Sequence, residues 1–186
     1  LKNYPKVELE IREMVTSEIF KALGRDAIDA AIIAGGFCPD NIIEEELFDD
    51  RFYAYVSPTS PLYDRANVRI EDIDMKELLR LSDGHCLRDQ ILELCQARKA
   101  ANPKCNFESG SLDTLMRIVD CTNGITVIPE MAIPYIPDNR RSQLKSLAKG
   151  ASSRKITIAV RRTSVKSSLI AALKQPILEV AQINVN

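Results

Sequence analysis

The chain has 186 residues, 45% of them hydrophobic and 27% charged, with a formal net charge of −1. That length can bury a core in one domain or in two small lobes, and the composition is ordinary for a globular protein. A charge so near zero excludes a broad electrostatic attraction to nucleic acid, and no run approaches the roughly 18 apolar residues that a membrane span needs.

Residues 6–12 alternate, with Val7, Leu9 and Ile11 on one side and Lys6, Glu8, Glu10 and Arg12 on the other. This predicts a strand with one buried face. Thr16 or Ser17 can cap a short helix through Leu23, which Gly24 ends. A strand is expected at about 28–34, stopping at Gly35-Gly36, while Glu44-Glu45-Glu46 reads as a solvated face. Phe52–Val56 predicts another strand, and Asp72–Leu81 a helix with acidic residues in its first turn. A helix follows at about 85–100, then a strand near Cys105–Phe107, a helix over 111–121 and a strand over Ile125–Ile128. Ile156–Val160 is a late strand, and 166–183 an amphipathic helix that Pro176 should kink. Strands alternating with helices imply an α/β protein with largely parallel sheets. Charge-rich breaks near Asp49-Asp50-Arg51 and at Lys149-Gly150-Ala151-Ser152-Ser153 look like crossing points between lobes.

The most informative segment is His85-Cys86-Leu87-Arg88-Asp89-Gln90, followed by Cys95. Cys86 comes after Asp83-Gly84, a helix-starting pair, and opens an apolar-periodic run of Leu87, Ile91, Leu92 and Leu94. It therefore belongs in the first turn of a helix, where unpaired N–H groups and the positive dipole end favour a thiolate. His85 and Arg88 add donors or positive charge. Cys95 lies nine residues on, roughly 13.5 Å along an intact helix and on its opposite face. A disulfide needs Cα atoms about 4.4–6.8 Å apart, so any pairing of the two would require the helix to unwind.

The run DGHCLRDQ, with a second cysteine nine residues after its own, closely resembles the OxyR family, the hydrogen-peroxide-sensing branch of the LysR-type transcription regulators. Shorter elements extend the likeness over nearly the whole chain. Glu13-Met14-Val15-Thr16 is similar to an E-x-x-T element whose threonine faces the sensing site. Ile28-Asp29-Ala30-Ala31-Ile32 is similar to the LysR-type L-D-x-x-I strand, and Ser60-Pro61-Leu62 stands where H-P-L is usual. Ser111-Leu112-Asp113-Thr114-Leu115 and Gly124-Ile125-Thr126-Val127-Ile128-Pro129 fit the helix and strand that follow. Only the two-cysteine run is specific; the other elements are generic to LysR-type domains. Thr122 departs from the pattern, standing where the first glycine of G-x-G is usual.

The resemblance implies two Rossmann-like lobes joined by two hinge strands, like a type 2 periplasmic binding protein. One lobe would be 1–49 plus 154–186 and the other 50–153, carrying the redox cysteines. An N-terminal helix-turn-helix DNA-binding domain would lie outside this chain, which begins at Leu1 rather than Met and is read as a fragment. It implies Cys86 as the peroxidatic and Cys95 as the resolving cysteine, pairing reversibly as a disulfide. His85, Arg88, Asp89 and Thr16 would support them, with Arg154 or Lys155 as the positive neighbour. The implied partners are hydrogen peroxide, a second copy of the domain (a tetramer in the full-length protein), promoter DNA, RNA polymerase and a thioredoxin- or glutaredoxin-type reductant.

Cys38, Cys105 and Cys121 carry no motif and read as core or surface thiols. Five irregularly spaced cysteines do not form a secreted disulfide framework and fit a reducing cytoplasm. With one histidine and no C-x-x-C pair, no metal and no cofactor are expected. Other functions fit less well. The H-C-x5-R signature of cysteine phosphatases fails, since its arginine position holds Leu92. A thiol peroxidase is chemically open, although the chain is not expected to be an enzyme. A domain binding a small metabolite, as other LysR-type or periplasmic solute-binding proteins do, leaves the cysteine spacing unexplained.

Overall fold

The computed structural model describes residues 4–36, 38–81, 86–94, 110–148 and 153–185, with the backbone alone at 86 and 182–185. Helix α1 (Thr16–Gly24) leads into strand β1 (Ala31–Ala34), the long strand β2 (Ile42–Val56) and the short β3 (Asn67–Val68). Helices α2 (Cys86–Leu94) and α3 (Leu112–Cys121) come next, then β4 (Ile125–Pro129), β5 (Leu144–Leu147), β6 (Ser153–Arg161) and α4 (Ser167–Val185). Two 3₁₀ turns, Glu130–Tyr135 and Asp138–Gln143, connect β4 to β5.

Strand β2 is the spine. Its first ten residues, from Ile42 to Arg51, pair antiparallel with β6, with an irregularity between Glu46 and Phe48. Its last five, Phe52–Val56, pair antiparallel with β4, and Tyr53–Tyr55 also pair with β5. The path across the sheet is β1-β6-β2-β5-β3, with β4 on β2 off that path. Two apolar clusters form on this frame. The larger gathers Phe52, Tyr55, Val56, Leu78, Leu115, Val119, Val127 and Ile128 around the second half of β2. The smaller joins Leu23, Ile33, Ile42 and Ala159 beside α1.

Several expectations are corrected. The ladders are mostly antiparallel, not parallel: only β3 with β5 and the isolated Leu78–Ile125 bridge run parallel among the described residues. Alternating strands and helices report crossovers, but they miss that β2 runs through both ladders, pairing with β6 over its first part and with β4 and β5 over its last. Residues 6–12 form no strand, and Leu9 and Ile11 are 49% and 84% exposed. Alternation marks an apolar face, whereas a ladder also needs a neighbouring edge. The helix expected over Asp72–Leu81 is absent. Leu79 N–H donates to the Ile125 carbonyl at 2.8 Å and Ile125 N–H to that of Glu77 at 3.0 Å, while Leu78, Leu79 and Leu81 are all buried. Three leucines within four residues gain more from this packing than from local helix propensity.

The acidic run Glu44-Glu45-Glu46 lies inside β2, with Glu45 and Glu46 exposed as expected and Glu44 half-buried. Each side chain has a partner, Glu44 in Thr157 at 3.2 Å, Glu45 in Lys174 and Glu46 in Lys155. Thr16 is the first helical residue of α1 and not its cap; Val15 holds the cap position and supplies no side-chain bond. Gly24 is the last helical residue, and Asp26 (φ 55°) takes the left-handed place that glycine usually fills. Bonds from Ala27 N–H to Ala22 O (2.9 Å) and from Asp26 N–H to Leu23 O (3.2 Å) close that end. Helix α4 runs as one helix through Pro176. The expected strand near Cys105–Phe107 and the helix beyond Leu94 lie outside the described residues.

Candidate functional site

The described part of helix α2 runs from Cys86 to Leu94, and residues 82–85 before it lie outside the described residues. Leu87 and Ile91, one turn apart, are buried in the larger cluster, and Leu94 packs against it half-buried. That stripe fixes the rotation of the helix on the sheet. Arg88 approaches Asp89 at 3.8 Å, with Asp89 largely exposed. Gln90, one turn beyond Cys86, carries a buried side-chain oxygen with no hydrogen-bond partner among the described residues. His85 and Cys95 lie outside the described residues.

The remaining expected site residues sit elsewhere on the frame. Thr16 starts α1 and is half-buried. Arg154 and Lys155 are consecutive on β6, so their side chains leave opposite faces. Each is committed to a carboxylate of β2. Arg154 donates through Nε (2.9 Å) and Nη2 (2.8 Å) to Asp50 Oδ2. Lys155 meets Glu46 at the surface, and that carboxylate raises the lysine above its usual range.

Two cysteines with no motif are free thiols. Cys121 ends α3 and is exposed, while Cys38 is half-buried. Burial pushes the Cys38 thiol up to about 11, helped by its hydrogen bond to Glu44 and opposed by the Arg162 charge. A thiol held protonated in this way is a poor nucleophile. Among the described residues, no cluster of three or more His, Cys, Asp or Glu could hold a metal.

Two polar networks complete the picture, the first with no counterpart in the sequence and the second centred on Thr122, whose departure from G-x-G the sequence shows. Asp120, in the last turn of α3, accepts from Tyr55 Oη at 2.7 Å and Gln143 Nε2 at 2.8 Å, with Arg140 Nη2 3.1 Å from its other oxygen. A carboxylate is misplaced at the negative end of a helix, and these donors offset that while tying α3 to β2. Burial and the Asp120 carboxylate both raise the Tyr55 phenol. The second network closes the turn after α3. Thr122 Oγ1 donates to Ile118 O at 2.9 Å and accepts Gly124 N–H at 3.1 Å. Thr122 is extended (φ −130°), so the position needs no glycine, and its hydroxyl supplies bonds that a glycine could not.

This frame and sequence place the chain in a family: it belongs to the LysR substrate binding domain family, whose profile matches residues 1–182. Within it, the resemblance to OxyR is borne out by the relatives and solved structures. The chain is 34% identical over 131 residues to the hydrogen peroxide-inducible genes activator of Dickeya chrysanthemi, covering 70% of this chain and 43% of that protein. It is 32% identical over 140 residues to the DNA-binding transcriptional dual regulator OxyR of Escherichia coli K12, covering 75% and 45% respectively. Among solved structures, OxyR from Porphyromonas gingivalis superposes with a TM-score of 0.87 at 26% identity, over 96% of this chain and 81% of that one. The reduced OxyR regulatory domain of Pseudomonas aeruginosa gives 0.84 at 28%, over 95% and 83%. The expected α/β, periplasmic-binding-protein-like fold is therefore the observed one. The chain spans less than half the length of these two curated relatives.

Proposed function

We propose that this chain is the redox-sensing regulatory domain of a hydrogen-peroxide-responsive transcription activator, working through Cys86 and Cys95. The observation that carries this reading is the run DGHCLRDQ with Cys95 nine residues after Cys86, in a chain whose relatives include proteins named hydrogen peroxide-inducible genes activator. The N–H groups of a helix's first turn stabilise a thiolate, and the thiolate is the nucleophile. It attacks one oxygen of peroxide and breaks the O–O bond; the departing hydroxide takes a proton and leaves as water, and Cys86 becomes a sulfenic acid. The Cys95 thiol then displaces the sulfenic hydroxyl as a second water, forming the disulfide. A thioredoxin- or glutaredoxin-type dithiol reverses this by exchange.

His85, Arg88, Asp89 and Thr16 support the thiol and peroxide in this reading, with Arg154 or Lys155 as a nearby charge. Residues 1–49 plus 154–186 form one lobe and 50–153 the other. Oxidation changes how two copies of the domain meet. In a cytoplasmic, tetrameric full-length protein, this would reposition a separate DNA-binding domain on promoter DNA and alter its contact with RNA polymerase. The chain consumes peroxide once per switch and is not a turnover enzyme.

The test is mass spectrometry of alkylated protein after one equivalent of peroxide. The unmodified chain should lose two alkylation sites, at Cys86 and Cys95, and gain one crosslink. Cys95→Ser should retain sulfenic acid at Cys86, and Cys86→Ser should stay fully alkylated at Cys95. A normal yield of crosslinked Cys95 in Cys86→Ser would refute the assignment.

A further inference from the structure

We infer that Asp50, Arg154 and the Met131 amide form a latch that holds the two ends of the molecule at a fixed angle. Reporting by the cysteine pair then does not proceed by a clamshell closure about β2 and β6. This rests in its last step on the redox reading above; the latch itself does not.

Asp50 lies where β2 passes from its β6 ladder to its β4 ladder: Arg51 is the last residue paired with β6, and Phe52 the first paired with β4. Its cross-strand partner is Arg154, and both donors of that guanidinium converge on Asp50 Oδ2. The other oxygen, Oδ1, accepts Met131 N–H at 3.1 Å. Side-chain exposure is 0% for Asp50 and 16% for Arg154, so water screens the pair little. Met131 lies in the 3₁₀ turn Glu130–Tyr135, whose first residue is held by Tyr53 Oη on Glu130 Oε1 at 3.1 Å. That turn follows β4 at one end of the molecule and packs against α4, which also contacts β2. One carboxylate thus joins the crossing strands to a turn that bridges to the terminal helix. Two strands alone could flex about their crossing; a third tie off the strand axis opposes that motion.

The test places ketone-reactive spin labels on p-acetylphenylalanine at Glu18 on α1 and Asp64 in the turn after β2, both exposed, leaving every cysteine intact. The reduced, unmodified chain should give one narrow distance distribution. Asp50→Asn, and separately Arg154→Gln, should broaden it at least twofold and speed exchange of the Met131 amide at least tenfold. A distribution as narrow in both variants as in the parent overturns the latch. In the unmodified chain, peroxide should leave the distance unchanged; a shifted maximum in protein confirmed to carry the disulfide overturns the exclusion of closure. Failure to form the disulfide would refute the redox reading and leave the reduced-state comparison standing.

Discussion

A thiol's neighbours decide whether it can sense anything, and Cys38 is the described cysteine whose neighbours argue most clearly against reactivity. Burial, then the Glu44 hydrogen bond and charge, raise it from an ordinary 9.0 to about 11. Because the folded pKa lies above the unfolded one, this group's stabilising contribution is complete below about pH 9 and is lost as pH rises through about 11. Iodoacetamide labelling of Cys38 should therefore reach its midpoint near pH 11, and Glu44→Gln should lower that midpoint. If Cys86 is the peroxidatic thiol proposed above, it should label with a midpoint below that of ordinary cysteine. Identical midpoints for the two thiols would remove the electrostatic basis of the proposed switch.

At the scale of elements, the proposed switch requires an α2 stable enough to bury its stripe and weak enough to open. Ile91 is 1% exposed, and truncating such a residue costs about 2–5 kcal/mol. If the helix unwinds on oxidation, that burial exists mainly in the reduced state, so Ile91→Ala destabilises the reduced form more than the oxidised one. The disulfide is then harder to reduce, by roughly 30 mV for every 1.4 kcal/mol of differential loss. A redox titration in which Ile91→Ala leaves the potential unchanged, while lowering reduced-state stability, would show that α2 stays packed in both states. The sequence revealed this element because its signals are local: a helix-starting pair, a 3.6-residue stripe and a specific motif. The same holds for α3, where Ser111 Oγ caps by accepting Thr114 N–H at 3.4 Å. Signals failed where pairing over long separations decides. Glu44-Glu45-Glu46 became strand because β6 lies beside it, Leu78–Leu81 became extended because Ile125 offered an edge, and 6–12 stayed unpaired despite clean alternation. The Asp50–Arg154 pair spans 104 residues and was readable only as a charge-rich break.

For the whole molecule, stability and rigidity are separable properties of the β2–β6 crossing. Breaking a buried ion pair by removing one partner leaves an uncompensated charge and costs about 3–5 kcal/mol, whereas replacing both by apolar groups of similar size is often neutral or stabilising. Asp50→Leu and Arg154→Met alone should each lower stability by that amount in urea denaturation. The double variant should recover most of the loss, except for the Met131 N–H, which is left without its acceptor at a cost of about 1–3 kcal/mol. Rigidity should behave differently. Leucine and methionine can fill the volume but cannot direct two donors and a backbone amide onto one carboxylate. The double variant should therefore unfold near the parent midpoint while keeping the broadened spin-label distribution of the single variants. If stability and the narrow distribution return together, packing alone sets the angle and the carboxylate has no separate role in holding it.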